Sequence, residues 1–149
     1  MIPISIGNSD KMLVGDLAVA IGHPLTLGAA PTVTTGVVSA LERRLDVGGD
    51  LMGSSVTLFG LIQTDAPITR GSSGGALINK NGELIGITTA IATADVGAEG
   101  LGFAVPINLA LNIAEDLIKD GKILHAFLGI LGAQHFDTAE DLSLIHISE

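Results

Sequence analysis

The stretch with the clearest chemical potential is Gly71-Ser72-Ser73-Gly74-Gly75, in which two serines lie among three glycines. A serine hydroxyl is a weak nucleophile until a base accepts its proton and fixed donors stabilise the oxyanion that forms. Glycines serve the second requirement, because a chain without Cβ atoms can turn sharply and aim successive backbone N–H groups at one point. The stretch therefore predicts a nucleophile turn, with Ser73 as the candidate nucleophile.

Three structural contexts can contain such a turn. Its letters match G-x-S-x-G, the nucleophile elbow of α/β hydrolases, but an elbow lies between a strand and a helix. Here β-prone residues follow the serines, so a loop between antiparallel strands of a chymotrypsin-like barrel fits better, with the N–H groups of Gly71 and Ser73 as oxyanion donors. A flexible Gly/Ser linker is the third interpretation, and the β-prone segments close on both sides argue against it.

The rest of the chain has the spacing of strand-forming runs and turn residues that is typical of an antiparallel β structure. Runs rich in Val, Ile, Leu and Thr alternate with glycines about every eight to twelve residues, which predicts a barrel or a sandwich. After the serines, segment 79–82 predicts a hairpin turn with positive φ values at Asn81 and Gly82. A last strand stops at Pro106, and one amphipathic helix follows, ending at Gly121. Its predicted apolar face consists of Ile107, Ala110, Leu111, Ala114, Leu117 and Ile118.

Composition limits the classes of function. The 149 residues are 47% hydrophobic and 15% charged, which predicts one compact domain. Seven basic and 16 acidic side chains give a net charge of −9, which argues against nucleic-acid partners and anionic lipid surfaces. No apolar run approaches the roughly 18 residues of a membrane span, so we expect no lipid insertion. The absence of cysteine excludes disulfides and thiolate catalysis.

No metal site or cofactor is predicted. The four histidines lie far apart and lack the spacing of known ligand motifs. They are His23, His125, His135 and His146.

The segment QTDAPITRGSSGGALINKNGELIGITTAI, residues 63–91, resembles the HtrA (Deg) family of trypsin-like serine proteases. The resemblance extends to GDLAVAIGHPLTLG and TVTTGVVSAL upstream and to GLGFAVPINLA and FLGILG downstream, and covers roughly residues 8–134. It implies an all-β fold: a chymotrypsin-like, six-stranded antiparallel β barrel with one C-terminal amphipathic helix. This barrel would be the second of the two in the protease domain.

The resemblance also implies a set of site residues. Ser73 would be the nucleophile, Gly71, Ser72 and Ser73 would line the oxyanion hole, and residues 65–70 would form the loop that shapes it. Substrate would bind at Ile68, Thr88, Thr89, Ala90 and Ile91. Within this set, Ile68 and Ile91 would wall a specificity pocket without buried charge, which favours a small aliphatic residue before the cut. Strand 88–91 would present an edge to which substrate backbone adds.

The domain organisation follows from the same resemblance. Residues 1–122 would form the barrel with its edge helix, and 123–141 a linker and the first residues of a truncated PDZ domain. Residues 142–149 resemble a sequencing-adapter translation rather than natural sequence. Loops 43–55 and 92–100 resemble the activation loops of the family. The family further implies unfolded or misfolded polypeptide substrates, trimer-based homo-oligomers and a periplasmic or cell-envelope location.

The chain departs from the family pattern in ways that affect catalysis. His23 and Ser72 each stand where asparagine is usual. In this family the catalytic histidine and aspartate precede the serine, yet His23 is the only histidine before Ser73, and the resemblance places it in a loop. We therefore expect the nucleophile, the oxyanion donors and the pocket without the base or its acid. An isolated chain of this kind would be nearly inert as a hydrolase.

Two alternative functions remain open from the residues. A non-catalytic barrel could bind extended peptides by strand addition, with Ser73 idle. An α/β-hydrolase esterase could use His125 or His135 with Asp116 or Asp137, but it requires a helix directly after the serine turn.

Overall fold

A computed structural model of the chain describes residues 3–23, 30–47, 56–69, 71–91 and 101–123. In chain order the elements are β1 (Ser5–Ile6), a 3₁₀ helix (Ser9–Lys11), β2 (Leu17–Gly22), β3 (Thr32–Val47), β4 (Val56–Thr64), β5 (Ala76–Ile78), β6 (Glu83–Ile91), β7 (Gly102–Pro106) and α1 (Ile107–Asp120). Strands β5 and β6 flank the predicted turn, β7 ends at Pro106 as predicted, and the predicted helix follows it. The elbow context is excluded, because β5 rather than a helix follows the serine turn.

Six of the strands form a closed ring. Their order is β6-β5-β2-β3-β4-β7, every neighbouring pair is antiparallel, and β6 also pairs with β7. The predicted six-stranded antiparallel barrel is therefore confirmed. The ring is not a plain barrel, because the two-residue β1 adds to β6 in parallel, a pairing that the sequence analysis does not predict.

The interior of the ring is filled by small and medium apolar side chains, as in other small barrels. Ala18 and Ala20 of β2 alternate with more exposed neighbours, as expected when every second residue of a strand points inward. The buried cluster consists of Met12, Ala18, Ala20, Val38, Ile62, Ala66, Leu77, Ile85 and Ala104. Burying each large aliphatic member contributes about 1.5–3 kcal/mol, so this interior stabilises the ring.

The hairpin between β5 and β6 differs in detail from the prediction. Gly82 has a φ of 75°, but Asn81 is not among the residues with positive φ, so the prediction for Asn81 is wrong. The Asn79 side chain accepts hydrogen bonds from the N–H groups of Asn81 and Glu83, at 2.9 and 3.0 Å. The pairing register shifts after Leu77. A turn followed by one left-handed glycine and a register shift suits a longer hairpin loop than the two-residue type.

Strand β3 is longer than predicted. Residues 43–47, predicted above to belong to loop 43–55, continue β3 and pair with β4 as far as Val47. Near Asp46, the Thr57 hydroxyl and the Arg44 guanidinium lower the pKa of this exposed carboxyl. Residues 48–55, loop 92–100, the tail 142–149 and all of segment 123–141 except Ile123 lie outside the described residues.

The N-terminal half of helix α1 contains its buried and half-buried apolar residues. Ile107 is 3% exposed, Ile113 is half-buried, and the Asn108 N–H donates to Ser9 Oγ at 3.2 Å. The predicted apolar face is wrong toward the C-terminus, where Leu117 is exposed and Ile118 is 86% exposed. Gly121 ends the helix as predicted, with a φ of 66°. Within the described ranges, no helix has the length and apolar character needed to cross a membrane.

The loop that precedes the serine turn lies directly against β3. A Cβ atom at Gly36 would stand 2.3 Å from the Ala66 nitrogen, so only glycine permits this approach. Asp65 Oδ1 accepts a hydrogen bond from Val37 N at 2.7 Å, and Thr34 Oγ1 donates to the Pro67 carbonyl at 2.8 Å. The loop therefore has a position defined by the barrel wall.

We predict that Gly36→Ala destabilises the chain, because the new methyl group would overlap backbone atoms that cannot move aside as a side chain would. The expected loss in the free energy of unfolding is about 1–3 kcal/mol, measured by urea denaturation. Thr35→Ala on the exposed face of β3 is the control, with an expected change within about 0.5 kcal/mol. Equal stability of the two variants would contradict the prediction.

Candidate active site

The serine turn is fixed to strand β6. Gly74 N donates to the Thr88 carbonyl at 2.7 Å, and Thr88 N donates to the Gly75 carbonyl at 2.9 Å. Gly71 and Gly74 have φ values of 92° and 85°, which side chains with a Cβ rarely adopt. The glycines therefore do what the sequence predicts: they let the chain reverse sharply within a few residues.

Ser73 is exposed at this turn. Its hydroxyl donates a 2.9 Å hydrogen bond to the backbone carbonyl of Thr89. A carbonyl oxygen is not basic enough to remove the hydroxyl proton, so this bond orients the serine without activating it.

The backbone N–H groups of Gly71, Ser72 and Ser73 are not equivalent. Ser72 N donates to the Thr69 carbonyl at 3.0 Å, so this N–H is already engaged. Among the residues that the structure describes, the N–H groups of Gly71 and Ser73 have no recorded acceptor. Of the three residues predicted to line the oxyanion hole, Gly71 and Ser73 are therefore the two whose N–H groups remain candidate oxyanion donors. The N–H group of Ser72 is not a candidate, because it already donates to the Thr69 carbonyl.

Ser72 itself is enclosed on several sides. A Cβ atom at Gly22 would lie 2.8 Å from both Cβ and Oγ of Ser72, so β2 and the turn are in close backbone contact. A Cβ atom at Gly75 would lie 2.3 Å from the Ile21 carbonyl oxygen, so β2 also lies close to the backbone of Gly75. The Ser72 carbonyl accepts hydrogen bonds from Gly75 N at 3.0 Å and from Thr88 Oγ1 at 2.5 Å.

Thr88, the first residue of the predicted substrate edge, is bonded to the serine turn. Thr88 is 1% exposed, and both its N–H and its carbonyl bond to the serine turn, so it offers no free edge. The pairing of β5 with β6 ends at Ile87. Segment 89–91, which contains the predicted Thr89, Ala90 and Ile91, therefore continues β6 without a β5 partner while it pairs with β7 on its other side.

Ile68 lies close to the part of β7 that faces this edge. A Cβ atom at Gly102 would stand 2.6 Å from Ile68 Cδ1, and Gly102 pairs with Ile91 across β6 and β7. Ile68, Ser72 and Thr88 also line a small cavity of about 70 Å³. The structure thus brings Ile68 and the backbone of Ile91 to neighbouring positions.

No general base is identified in the described part of the chain. His23 is the only histidine there; it is exposed, and no recorded hydrogen bond joins it to Ser73. Asp65, the acid nearest in sequence before Ser73, bonds to Val37 N instead. The described residues also contain no group of three or more His, Asp or Glu side chains that could hold a metal ion.

Sequence reasoning missed the contacts that fix the turn. The Thr88 hydroxyl of β6 bonds to Ser72, and Gly22 of β2 lies directly against it, although neither residue is close to Ser72 in the chain. Only the register of β2 and β6 brings these residues to Ser72, and no local sequence pattern encodes that register.

Comparisons with known proteins place this geometry in a family. The family described as trypsin-like peptidase domain matches residues 2–87. The periplasmic pH-dependent serine endoprotease DegQ of Escherichia coli is 52% identical over 131 residues, which are 88% of this chain and 27% of DegQ. The serine protease PepD of Mycobacterium tuberculosis is 47% identical over 143 residues, which are 91% of this chain and 30% of PepD.

Solved structures give the same result. The HtrA-type protease AlgW with a tripeptide matches with a TM-score of 0.71 and 40% identity, over 86% of this chain and 40% of AlgW. AlgW with a decapeptide matches with a TM-score of 0.67 and 39% identity, over 85% and 36%. The chain spans less than a third of the length of DegQ and PepD. It belongs to the trypsin-like peptidase family, among the HtrA-type serine proteases.

Proposed function

We propose that this chain supplies the nucleophile, the oxyanion donors and part of the substrate edge of a serine endopeptidase that cleaves unfolded or misfolded polypeptides. One observation carries the proposal: exposed Ser73 lies on a turn whose Gly71 and Ser73 N–H groups have no recorded acceptor within the described residues. Its place among HtrA-type proteases supports this reading.

The reaction would be acyl transfer. Ser73 Oγ attacks the substrate carbonyl carbon, a base takes the hydroxyl proton, and the carbonyl oxygen becomes an oxyanion that the N–H groups of Gly71 and Ser73 stabilise. The carbon–nitrogen bond then breaks, the leaving amine takes the proton, and water later hydrolyses the acyl-enzyme. We assign the base and its orienting acid to residues outside the described part of the chain.

Substrate would bind as an added strand along segment 89–91. Backbone hydrogen bonds to a strand edge make little use of side-chain identity, which suits unfolded chains of varied sequence. The Thr89 carbonyl is one acceptor on this edge, and it accepts the Ser73 hydroxyl. Bound peptides in the AlgW structures support a peptide-binding site in this family.

Location and assembly are part of the same proposal. DegQ is named a periplasmic protease, and so is the DegP of Escherichia coli, which is 47% identical over 131 residues. We propose a periplasmic or cell-envelope location and a trimer-based homo-oligomer for the protein that contains this chain. We also propose that residues 123–141 lead into a PDZ domain.

We predict that Ser73→Ala abolishes cleavage of unfolded casein and labelling by a fluorophosphonate probe. The test joins this chain to the upstream coding sequence of its gene and compares that protein with its variant. Loss of the nucleophile leaves only the oxyanion hole and binding, so the rate should fall by about 10⁴-fold or more.

A folded wild-type protein that neither cleaves nor labels would overturn the protease proposal. Casein binding without cleavage would then favour the second candidate, a peptide-binding barrel. The hydrogen bond between Ser73 Oγ and the Thr89 carbonyl, which leaves the serine without a base, is the observation that favours it.

We predict that the protease cuts after small aliphatic residues and that Ile68→Ala shifts the preference to larger ones. Removing the side chain that lies against Gly102 would enlarge the proposed pocket. Each substrate methylene group that the enlarged pocket newly accommodates should raise kcat/KM by about 10–200-fold. The measurement uses peptides with Ala, Val, Leu or Lys before the cut. Val33→Ala, on an exposed side chain of β3, is the matched control. An unchanged ranking in Ile68→Ala would contradict its place in the pocket.

A further inference from the structure

Thr88 is a buried polar residue that the proposed reaction does not use. Its side chain is 1% exposed, and its hydroxyl donates to the Ser72 carbonyl at 2.5 Å. A buried hydroxyl needs a partner, but a position in the middle of a strand would be filled as well by valine, which has the same shape. The question is what the hydroxyl adds at this position.

The answer lies in the peptide group that it contacts. The Ser72 carbonyl and the Ser73 N–H belong to one planar trans peptide, in which the C=O and N–H bonds point in opposite directions. A hydrogen bond that fixes the direction of the Ser72 carbonyl therefore fixes the direction of the Ser73 N–H as well. That N–H is one of the two proposed oxyanion donors.

The other contact to the Ser72 carbonyl comes from within the turn. Gly75 N donates at 3.0 Å, and within the described residues Gly75 reaches the barrel through its own carbonyl, which accepts the Thr88 N–H, and its close approach to Ile21. Thr88 belongs to β6, which pairs with β7 through Ala104, so its position is set by the ring of strands. Among the described residues, its hydroxyl is the side-chain donor that fixes the orientation of the Ser72–Ser73 peptide relative to the barrel wall.

We propose that Thr88 is a positioning residue, whose hydroxyl holds the Ser72–Ser73 peptide so that the Ser73 N–H points into the oxyanion hole. The inference rests on the proposed function. Because negative charge on the substrate oxygen develops only in the transition state, loss of this orientation lowers kcat and leaves substrate binding almost unchanged.

The test compares Thr88→Val with Thr88→Ser in the protease completed with its upstream coding sequence. Valine keeps the shape of threonine and removes the donor, whereas serine keeps the donor. For Thr88→Val we expect kcat to fall by about 10- to 100-fold, up to the loss seen when an oxyanion donor is removed outright. KM should change by less than about twofold, and Thr88→Ser should restore most of kcat.

A transition-state analogue separates positioning from general damage. A peptidyl boronic acid bonds to Ser73 Oγ and places an oxygen in the oxyanion hole, so Thr88→Val should weaken its affinity by the same factor as kcat. The affinity of an uncleaved peptide, measured in a Ser73→Ala background, should not change. Thr57→Val, which removes a hydroxyl bonded to Asp46 on the β3–β4 hairpin, is the control and should leave all three quantities at wild-type values.

The outcomes separate this inference from the proposed function. Wild-type kcat in Thr88→Val, or equal losses in Thr88→Val and Thr88→Ser, would overturn the positioning role while the protease stands. If the wild-type protein neither cleaves nor labels, the proposed function fails, and crystal structures of the wild type and Thr88→Val decide the remaining point. A rotated Ser72–Ser73 peptide in the variant would support the orienting role, and an unchanged peptide would overturn it.

Discussion

The pairing of β6 with β7 closes the ring of strands, and this closure determines what the opposite side of β6 can do. With one side of β6 fixed by β7, the N–H and carbonyl of Thr88 on the other side bond to Gly75 and Gly74. The serine turn is thereby hydrogen-bonded to a strand whose other side is paired with β7. One residue further along, β5 no longer pairs with β6, and the Thr89 carbonyl accepts the Ser73 hydroxyl. Strand β6 thus holds the serine turn at Thr88, and beyond that residue it has no pairing with β5, because its two neighbouring strands end at different residues.

The loops that surround Ser73 reach the barrel through positions that lack a side chain. Gly22 admits Ser72 to β2, Gly36 admits Ala66 to β3, and Gly75 lies against the Ile21 carbonyl. Each glycine carries an entropic cost of roughly 0.5–1 kcal/mol relative to alanine in a strand or helix. That cost is offset where backbone atoms of two segments must come within contact distance, since a methyl group would separate them. The geometry around Ser73 therefore depends on the absence of a side chain at these three glycines.

Within the described residues, the serine turn orients the Ser73 hydroxyl, and no side chain that could take its proton is hydrogen-bonded to it. The hydroxyl meets a carbonyl oxygen, which accepts a hydrogen bond without accepting the proton. DegQ and PepD are three to four times as long as the matched region, so the relatives hold most of their residues elsewhere. The proposed reaction therefore divides its groups: the described residues would supply the nucleophile and the oxyanion donors, and the acid–base groups are proposed to come from outside them.

Local pattern was enough to predict the six strands, the Gly/Ser turn with Ser73 and the end of the helix at Gly121, because periodicity, β propensity and left-handed glycines act over a few residues. The roles of Gly71 and Ser73, and those of Ile68 and segment 89–91 that came from resemblance to a family, stay predictions. Local pattern failed where distant packing decides. Asn81 did not adopt a positive φ, the apolar side chain of Ile118 stayed exposed because nothing in the described residues covers the end of α1, and β1 was too short to recognise. The sequence by itself determined which segments become strands and where the chain can reverse. Only the tertiary structure decided that the Thr88 hydroxyl meets the Ser72 carbonyl, because the register between strands, and not the spacing along the chain, sets which residues face each other.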